Sequence, residues 1–218
     1  KALVAAAIHY GGQRPRAPLI HVDCGHHSDA MISPLLFGHE RGAFPGAFER
    51  RVGEIVKADG GTLILDRIER LPLDTQAALA NLLENGIVQP IGGGAPTPVD
   101  VRFVACSTVS LRQRARDGLF REDLLARISV AEVALPPLRD RRVDIPALAR
   151  HLTSRIATLP TMSNLSLSGE LLDAFATWNW PGNVRELNDA LIRAACAASG
   201  PQLSIEDFPG LAGERARS

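Results

Sequence analysis

A chain of 218 residues, 45% of them hydrophobic, can bury one large domain and a small one. Its 24 basic and 24 acidic residues cancel, which excludes a generally polycationic nucleic-acid or membrane surface and leaves any such contact to a local patch. Cys24, Cys106 and Cys196 are too widely spaced for a disulfide framework or a paired-cysteine metal motif and fit a reducing cytosol; no apolar run approaches the roughly 20 residues of a membrane span.

Lys1 opens the chain without a methionine or a signal peptide, which reads as a fragment of something longer. Lys1 to Tyr10 is alanine-rich with apolar residues at helical spacing, and Gly11-Gly12 ends it. Leu19-Ile20-His21-Val22 reads as a strand finishing in Asp23-Cys24. His21, Cys24, His26 and His27 include imidazole and thiolate groups of the kind that bind zinc. Strand alternation, however, sends His21 and Cys24 in different directions, and no second ligand pair follows, so satisfied or exposed histidines are the simpler reading. After the apolar Met31 to Phe37, Gly38 to Ala47 (GHERGAFPGA) has no strand or helix period. It is a loop presenting Phe44, either to a partner or tucked into its own domain.

Phe48 to Asp59 has mixed periodicity and leads into Gly60-Gly61-Thr62-Leu63-Ile64-Leu65-Asp66-Arg67. This run reads as a buried parallel strand delivering Asp66 to the carboxyl edge of a sheet, where open α/β proteins bind ligands. In a phosphate-binding fold that acid would hold Mg²⁺ through water; in isolation it would be a core strand ending in a surface acid. Asp74 is expected to cap a helix through Ala77, Leu79, Leu82 and Leu83, with Gly86 as a left-handed stop. Gly92 to Pro98 is a hairpin or loop, and Val101 to Cys106 a second fully buried strand. Ser107-Thr108 follow at its carboxyl end, where their hydroxyls would bond a phosphate or cap the next turn.

Arg121 and Arg127 lie six apart on the helical Phe120 to Arg127, about 600° of rotation, so they do not share a face. Val130 to Leu135 reads as the last apolar strand, and Pro136 to Arg142 as a stiff, charged linker marking a domain boundary. Beyond it every period is helical. Asp144 is expected to cap a helix to about Leu159, Ser168 one from Gly169 to Trp178, and Asn183 one from Val184 to Ala198; Ser204 and Asp207 form a capping box. Trp180-Pro181-Gly182 bridges two of these helices. Arg185 occupies a first turn, where the helix dipole disfavours a cation, which hints at an outside anion.

In this order the motifs resemble the central ATPase domain of bacterial sigma-54-dependent transcription activators, a branch of the AAA+ superfamily. The resemblance runs from Lys1 to about Phe208. It rests on Leu36 to Ala47 (the signature loop), Gly60 to Asp66 (the Walker B strand), Phe120 to Leu124 with Arg127 (the arginine-finger segment), Leu135 to Arg139 (the linker) and Trp180 to Leu187 (the lid). It implies an α/β fold of P-loop NTPase type, a parallel sheet with helices on both faces over residues 1–138, and a small helical lid over 139–218. It also implies ATP or ADP and Mg²⁺ as cofactors. Lys1, as the last residue of the phosphate-binding loop, would bind the β and γ phosphates, Asp66 would organise Mg²⁺, Thr108 would stand at the sensor position, and Arg185 would sense the γ-phosphate. Arg121 and Arg127 would be arginine fingers reaching a neighbour's nucleotide, which requires a homo-oligomeric ring, in this family usually a hexamer. Gly42, Ala43, Phe44, Pro45, Gly46 and Ala47 would face RNA polymerase carrying sigma-54. With no helix-turn-helix visible before Ser218, DNA would be reached only through a domain outside this chain, in the cytoplasm and without membrane contact.

Four departures from the family pattern stand out. Its Walker B ends Asp-Glu, and here Arg67 replaces the glutamate; a guanidinium cannot take a proton from water. Asp23 replaces an asparagine at the end of the preceding strand, so a salt bridge from Asp23 to Arg67 is expected in place of the usual contact. Ser107-Thr108 replace Thr-Asn, and Pro45 replaces the signature threonine, removing its hydroxyl and backbone N–H. The resulting expectation is a nucleotide-binding, oligomerising regulator module with impaired or absent ATP hydrolysis. The alternatives are an active ATPase that remodels sigma-54 polymerase and, more remotely, a scaffold or metal-binding role.

Overall fold

The computed structural model describes residues 1–158, 165–198 and 200–209. The chain divides into two compact units, Lys1–Val133 and Ala134–Ser218.

In the first unit, α1 (Ala2–Tyr10) leads to β1 (Leu19–Asp23), then α2 (Asp29–Phe37) and the short β2 (Gly38–His39), β3 (Arg51–Val52) and α3 (Glu54–Lys57). There follow β4 (Thr62–Asp66), α4 (Leu73–Asn85), β5 (Ile87–Val88), β6 (Thr97–Pro98), β7 (Arg102–Ala105), α5 (Leu111–Arg116) and α6 (Glu122–Ile128). The main sheet is parallel with β4 between β1 and β7, and α1, α3 and α6 pack against it. Buried on both faces, the central strand reads as a continuous apolar run rather than an alternating one: Leu63 and Leu65 are almost wholly buried, and only Asp66 emerges.

The glycines before β4 are set by close approach. Gly60 adopts φ +71°, and a Cβ on Gly61 would stand 2.1 Å from the carbonyl oxygen of Pro18. That oxygen accepts the Thr62 N–H at 2.8 Å, so the double glycine lets β4 start directly against β1.

Two strand expectations are corrected. β7 is not fully buried: Arg102 and Ala105 are exposed, because the strand lies at the edge of the described sheet. Val130 to Leu135 forms no strand, and Val130 and Val133 are largely exposed. An apolar β-branched run has strand propensity, but a strand exists only as part of a ladder, and none of the described strands pairs with this run.

The second unit packs α7 (Ile145–Ile156), α8 (Gly169–Thr177) and α9 (Asn183–Ala197) with a small parallel pair, β8 (Ser166–Leu167) and β9 (Gln202–Leu203). Its core joins Leu138, Ile145, Leu171, Phe175, Trp180 and Leu187. The Trp180 indole N–H is satisfied by the Phe175 carbonyl at 2.8 Å. The Ser168 cap forms, accepting the Leu171 N–H, and so does the Ser204–Asp207 box. Other caps differ. Asp74 lies inside the first turn of α4, behind Pro72, and Asp144 makes no side-chain cap. Asn183 takes a left-handed conformation and its Oδ1 accepts the Leu138 N–H, while Glu186 accepts the Gly182 N–H. The expected end of α7 at Leu159 lies outside the described residues. Among the described residues no helix is long and apolar enough to cross a membrane.

A Gly61→Ala substitution is expected to lower the unfolding free energy by about 1–3 kcal/mol, the usual cost of forcing atoms into a closed contact. Gly169→Ala, at a helix start with open space around it, should instead be neutral or stabilising by up to about 1 kcal/mol. Urea unfolding of the two variants checks the pair, and equal effects would refute the close-approach account.

Candidate functional site

Parallel strands β1 and β4 end side by side, with Asp23 in register with Asp66, and Cys106-Ser107-Thr108 follow β7 at the same edge. The exposed Lys1 reaches this edge from the far end of the sequence, its Nζ donating to the Ser107 carbonyl at 2.5 Å. Lys1, Asp66 and the Ser107-Thr108 segment therefore meet at one end of the sheet.

The residue after Asp66 turns sharply. Arg67 has φ +54° and ψ +44°, and its N–H donates to Asp66 Oδ1 at 2.9 Å. This left-handed turn carries the guanidinium back over β1. Its Nε meets Asp23 Oδ1 at 2.6 Å and its Nη2 meets Oδ2 at 2.5 Å, the expected bridge in two-pronged form. It lies over Gly25, where a Cβ would stand 2.6 Å from the guanidinium carbon. Hydrogen bonding from Arg67, with help from His26 and the Gly25 N–H, holds the Asp23 carboxyl well below the usual carboxylate range. Arg67 is a donor throughout, so position 67 offers nothing that could accept a proton.

Burial pushes the Cys24 thiol up to about 12, helped by the charges of Asp23 and Asp66, so it is an inert core thiol. His21 is exposed, and His26 is engaged with Asp23 and Arg67. Among the described residues no group of three or more His, Cys, Asp or Glu is arranged to hold a metal ion.

Sequence reasoning missed Glu69. It follows β4 on a short 3-10 turn (Ile68–Arg70) and is only 5% exposed. Its Oε1 accepts both the Thr108 N–H, at 3.2 Å, and the Thr108 hydroxyl, at 2.5 Å. Burial alone would raise its pKa, but hydrogen bonding from Thr108, from its own backbone and from the Ser107 hydroxyl outweighs it and leaves the carboxyl more acidic than usual. Its Oε2 is buried without a hydrogen-bond partner among the described residues. In sequence Glu69 sits in the charged run Arg67-Ile68-Glu69-Arg70, which reads as a solvated turn. The available signal was its place between Ile68 and Leu71, both of which are buried.

The remaining candidates of the first unit make other contacts. Arg121 precedes α6 rather than riding on it, so the rotation expected between it and Arg127 does not apply; it pairs with Asp123 at 2.8 Å. Arg127 bonds the Ala80 carbonyl and Glu84. Arg185 is exposed on the first turn of α9 in the second unit. In the glycine-rich loop, Gly42 and Gly46 have positive φ and the Gly42 N–H bonds the Ala47 carbonyl. Phe44 is half-buried, edge-on to the His39 ring at 4.9 Å, and Phe48 is the exposed aromatic, at 81%. A cavity of about 250 Å³ lined by Leu65, Ile68, Leu79, Phe103, Arg127 and Val130 includes none of Lys1, Asp66 or Thr108.

The Lys1 ammonium thus reaches, through Ser107, the end of the sheet where Asp66 keeps Oδ2 outside any hydrogen bond among the described residues. Comparison with known proteins places this arrangement in a family. Residues 1–134 match the family described as "Sigma-54 interaction domain", and residues 139–218 match "AAA+ ATPase lid domain". The "DNA-binding transcriptional regulator NtrC" of Escherichia coli (strain K12) is 43% identical over 210 residues, covering 96% of this chain and 45% of that protein. The "Regulatory protein AtoC" of the same organism is 39% identical over 209 residues, again covering 96% and 45%. The crystal structure of NtrX from Brucella abortus in complex with ATP superposes with a TM-score of 0.86 at 28% identity, covering 98% of this chain and 47% of that one. The chain spans just under half the length of the curated relatives it matches.

The depressed Asp23 pKa fixes the sign of a pH effect. Its contribution to stability is present in full above the unfolded carboxylate pKa of about 3.9 and is lost as pH falls further. The stability difference between wild type and Asp23→Asn is therefore expected to be constant above about pH 5 and to shrink below about pH 4. Urea unfolding at a series of pH values measures it, and parallel curves throughout would mean that the bridge contributes nothing to folding.

Proposed function

The chain belongs to the sigma-54 interaction domain family, and from that premise we propose that it is the nucleotide-binding, ring-forming module of a bacterial transcription regulator, with slowed ATP hydrolysis. The nucleotide reading is supported by the meeting of Lys1 and Asp66 at the sheet edge and by the similarity to NtrX, whose crystal structure is a complex with ATP. Lys1 would bind the β and γ phosphates, and Asp66 would hold Mg²⁺ through water, the ion offsetting phosphate charge. The observation that carries the slowed step is the Arg67–Asp23 bridge: the residue best placed to orient a water beside the γ-phosphate is a cation, tied down by two hydrogen bonds.

Arg121 and Arg127 would act across a subunit boundary as transition-state cations. Each now sits in an ion pair with partly exposed members, Arg121 with Asp123 and Arg127 with Glu84. Such pairs are worth only about 0–1 kcal/mol, so exchanging them for a phosphate costs little. The loop Gly42 to Ala47 would meet RNA polymerase, with sigma-54 as the partner for which the family is named; Pro45 alters the face it presents. DNA would be contacted by another domain, in the cytoplasm. A second reading, a working ATPase that remodels the polymerase, is favoured by one observation, the buried carboxylate of Glu69.

Steady-state ATP hydrolysis and fluorescent-nucleotide binding on the full-length protein separate the two. On the proposed reading, wild type binds ATP and turns it over slowly, and the paired variant Asp23→Asn/Arg67→Glu, which leaves no carboxylate at position 23 to repel the new one, raises kcat by about 10²- to 10⁴-fold, the usual worth of a general base. Brisk turnover by wild type, unchanged in the paired variant, would give the second reading precedence.

A further inference from the structure

Helix α1 carries Lys1 at its start, yet it has little apolar surface with which to grip the sheet. Its buried residues are Ala5 and His9, one turn apart on the same face; Ala6 and Ile8 are half-buried, and Leu3 and Tyr10 are exposed. Apolar contact is non-directional, so a small apolar face leaves a helix poorly fixed along its own axis. A hydrogen bond has the direction that such contact lacks.

His9 supplies it. Its Nδ1 and the Thr62 hydroxyl share a hydrogen bond at 2.9 Å, and both residues are about 1% exposed. Thr62 is a firm anchor. Its N–H donates to the Pro18 carbonyl, and the Gly61 carbonyl before it accepts the Arg102 N–H at 3.0 Å, so the start of β4 is held from both sides. At the same end of the helix, Arg102 Nη1 donates to the Ile8 carbonyl at 3.3 Å.

The dimensions then decide where the other end of α1 falls. His9 lies eight residues beyond Lys1, about 12 Å along an α-helix. Asp66 lies four residues beyond Thr62, about 13 Å along a strand. The helix runs back along the strand, because His9 meets the start of β4 while Lys1 reaches Ser107, past the end of β7. Hooked at Thr62, α1 therefore brings Lys1 to the level of Asp66. A helix free to slide would leave the flexible lysine stem to find its target unaided, at an ordering cost that a fixed helix lowers.

We propose that His9 and Thr62 are positioning residues for nucleotide binding, their buried hydrogen bond setting the height of α1 along β4 so that Lys1 stands level with Asp66 for the β and γ phosphates. This rests on the nucleotide-binding reading above. Neither side chain touches the nucleotide; each acts through the element that carries a residue of the site.

The test is ATP affinity, by displacement of a fluorescent nucleotide, and Tm for the full-length wild type, Thr62→Val and Thr62→Ser. Valine keeps the shape of threonine and loses the hydroxyl, whereas serine keeps the hydroxyl and loses a methyl group. Both should lower Tm, but only valine should weaken ATP binding, by about tenfold, the scale of one buried hydrogen bond. Where Thr62→Val fails to fold, His9→Leu and His9→Asn form a second pair. Asparagine can place an amide near the position of Nδ1 and should keep the affinity within about twofold of wild type, while leucine should lose about tenfold. An ATP Kd in Thr62→Val within about twofold of wild type overturns the proposal and leaves the nucleotide-binding reading standing. Equal weakening in Thr62→Ser also overturns it, as the mark of a role in stability alone. A wild type that binds no ATP overturns the nucleotide-binding reading itself, and the proposal with it.

Discussion

Two aspartates in register on adjacent parallel strands set the terms for everything at the carboxyl edge. Asp23 and Asp66 end β1 and β4 directly opposite one another, and neighbouring strands lie only about 4.8 Å apart. The register is held at the start of β4, where Gly61 packs against Pro18 and the Thr62 N–H donates to the Pro18 carbonyl. The repulsion has to be met where it stands, by a cation. Arg67 meets it, neutralising Asp23 through two hydrogen bonds while its backbone N–H supports Asp66.

That solution costs backbone strain. A left-handed conformation at a residue with a Cβ is unfavourable by roughly 1–2 kcal/mol, and Arg67 is one of three non-glycine residues with positive φ among those described. The hydrogen bonds made by its backbone N–H and guanidinium offset the strain, the two to Asp23 being charge-assisted at both ends. The turn also sets the path of the chain beyond it. It drives Ile68 into the core and brings Glu69 round to Thr108; an extended residue at 67 would send both elsewhere. Strain gathered at one residue beside a candidate site is where such strain is usually found.

The scaffold was legible because its signals are local. A buried apolar run ending in an acid, a double glycine before it and a left-handed glycine after α4 are each readable within a few residues, and the Asp23–Arg67 bridge followed from two departures read together. What escaped depends on partners far along the chain. Glu69 looks like one charge among several until Thr108, 39 residues away, is seen to hold it. Asn183 has the composition of a helix cap, yet Leu138, 45 residues earlier, claims its side chain. Val130 to Leu135 has strand propensity without a described ladder to join. Phe44 drew attention as the signature aromatic, but the neighbouring His39 ring half-covers it and leaves Phe48 outermost.

The departures from the family pattern are fewer than they look. Asp23 and Arg67 form one exchange, since either alone would leave an uncompensated charge at the strand ends. Thr108 belongs to a second, because its hydroxyl is given to Glu69, a bond that sequence spacing does not reveal. Pro45 stands apart from both. The loop's own bonds run from the Gly42 N–H to the Ala47 carbonyl and from the Ala47 N–H to the Phe44 carbonyl, and neither uses an N–H at position 45. Proline therefore enters without breaking the loop and changes only the surface it offers. Among the described residues no hydrogen bond joins the Gly42 to Ala47 loop to Asp23, Asp66 or Glu69, so the change at position 45 and the exchanges at the sheet edge are separate events.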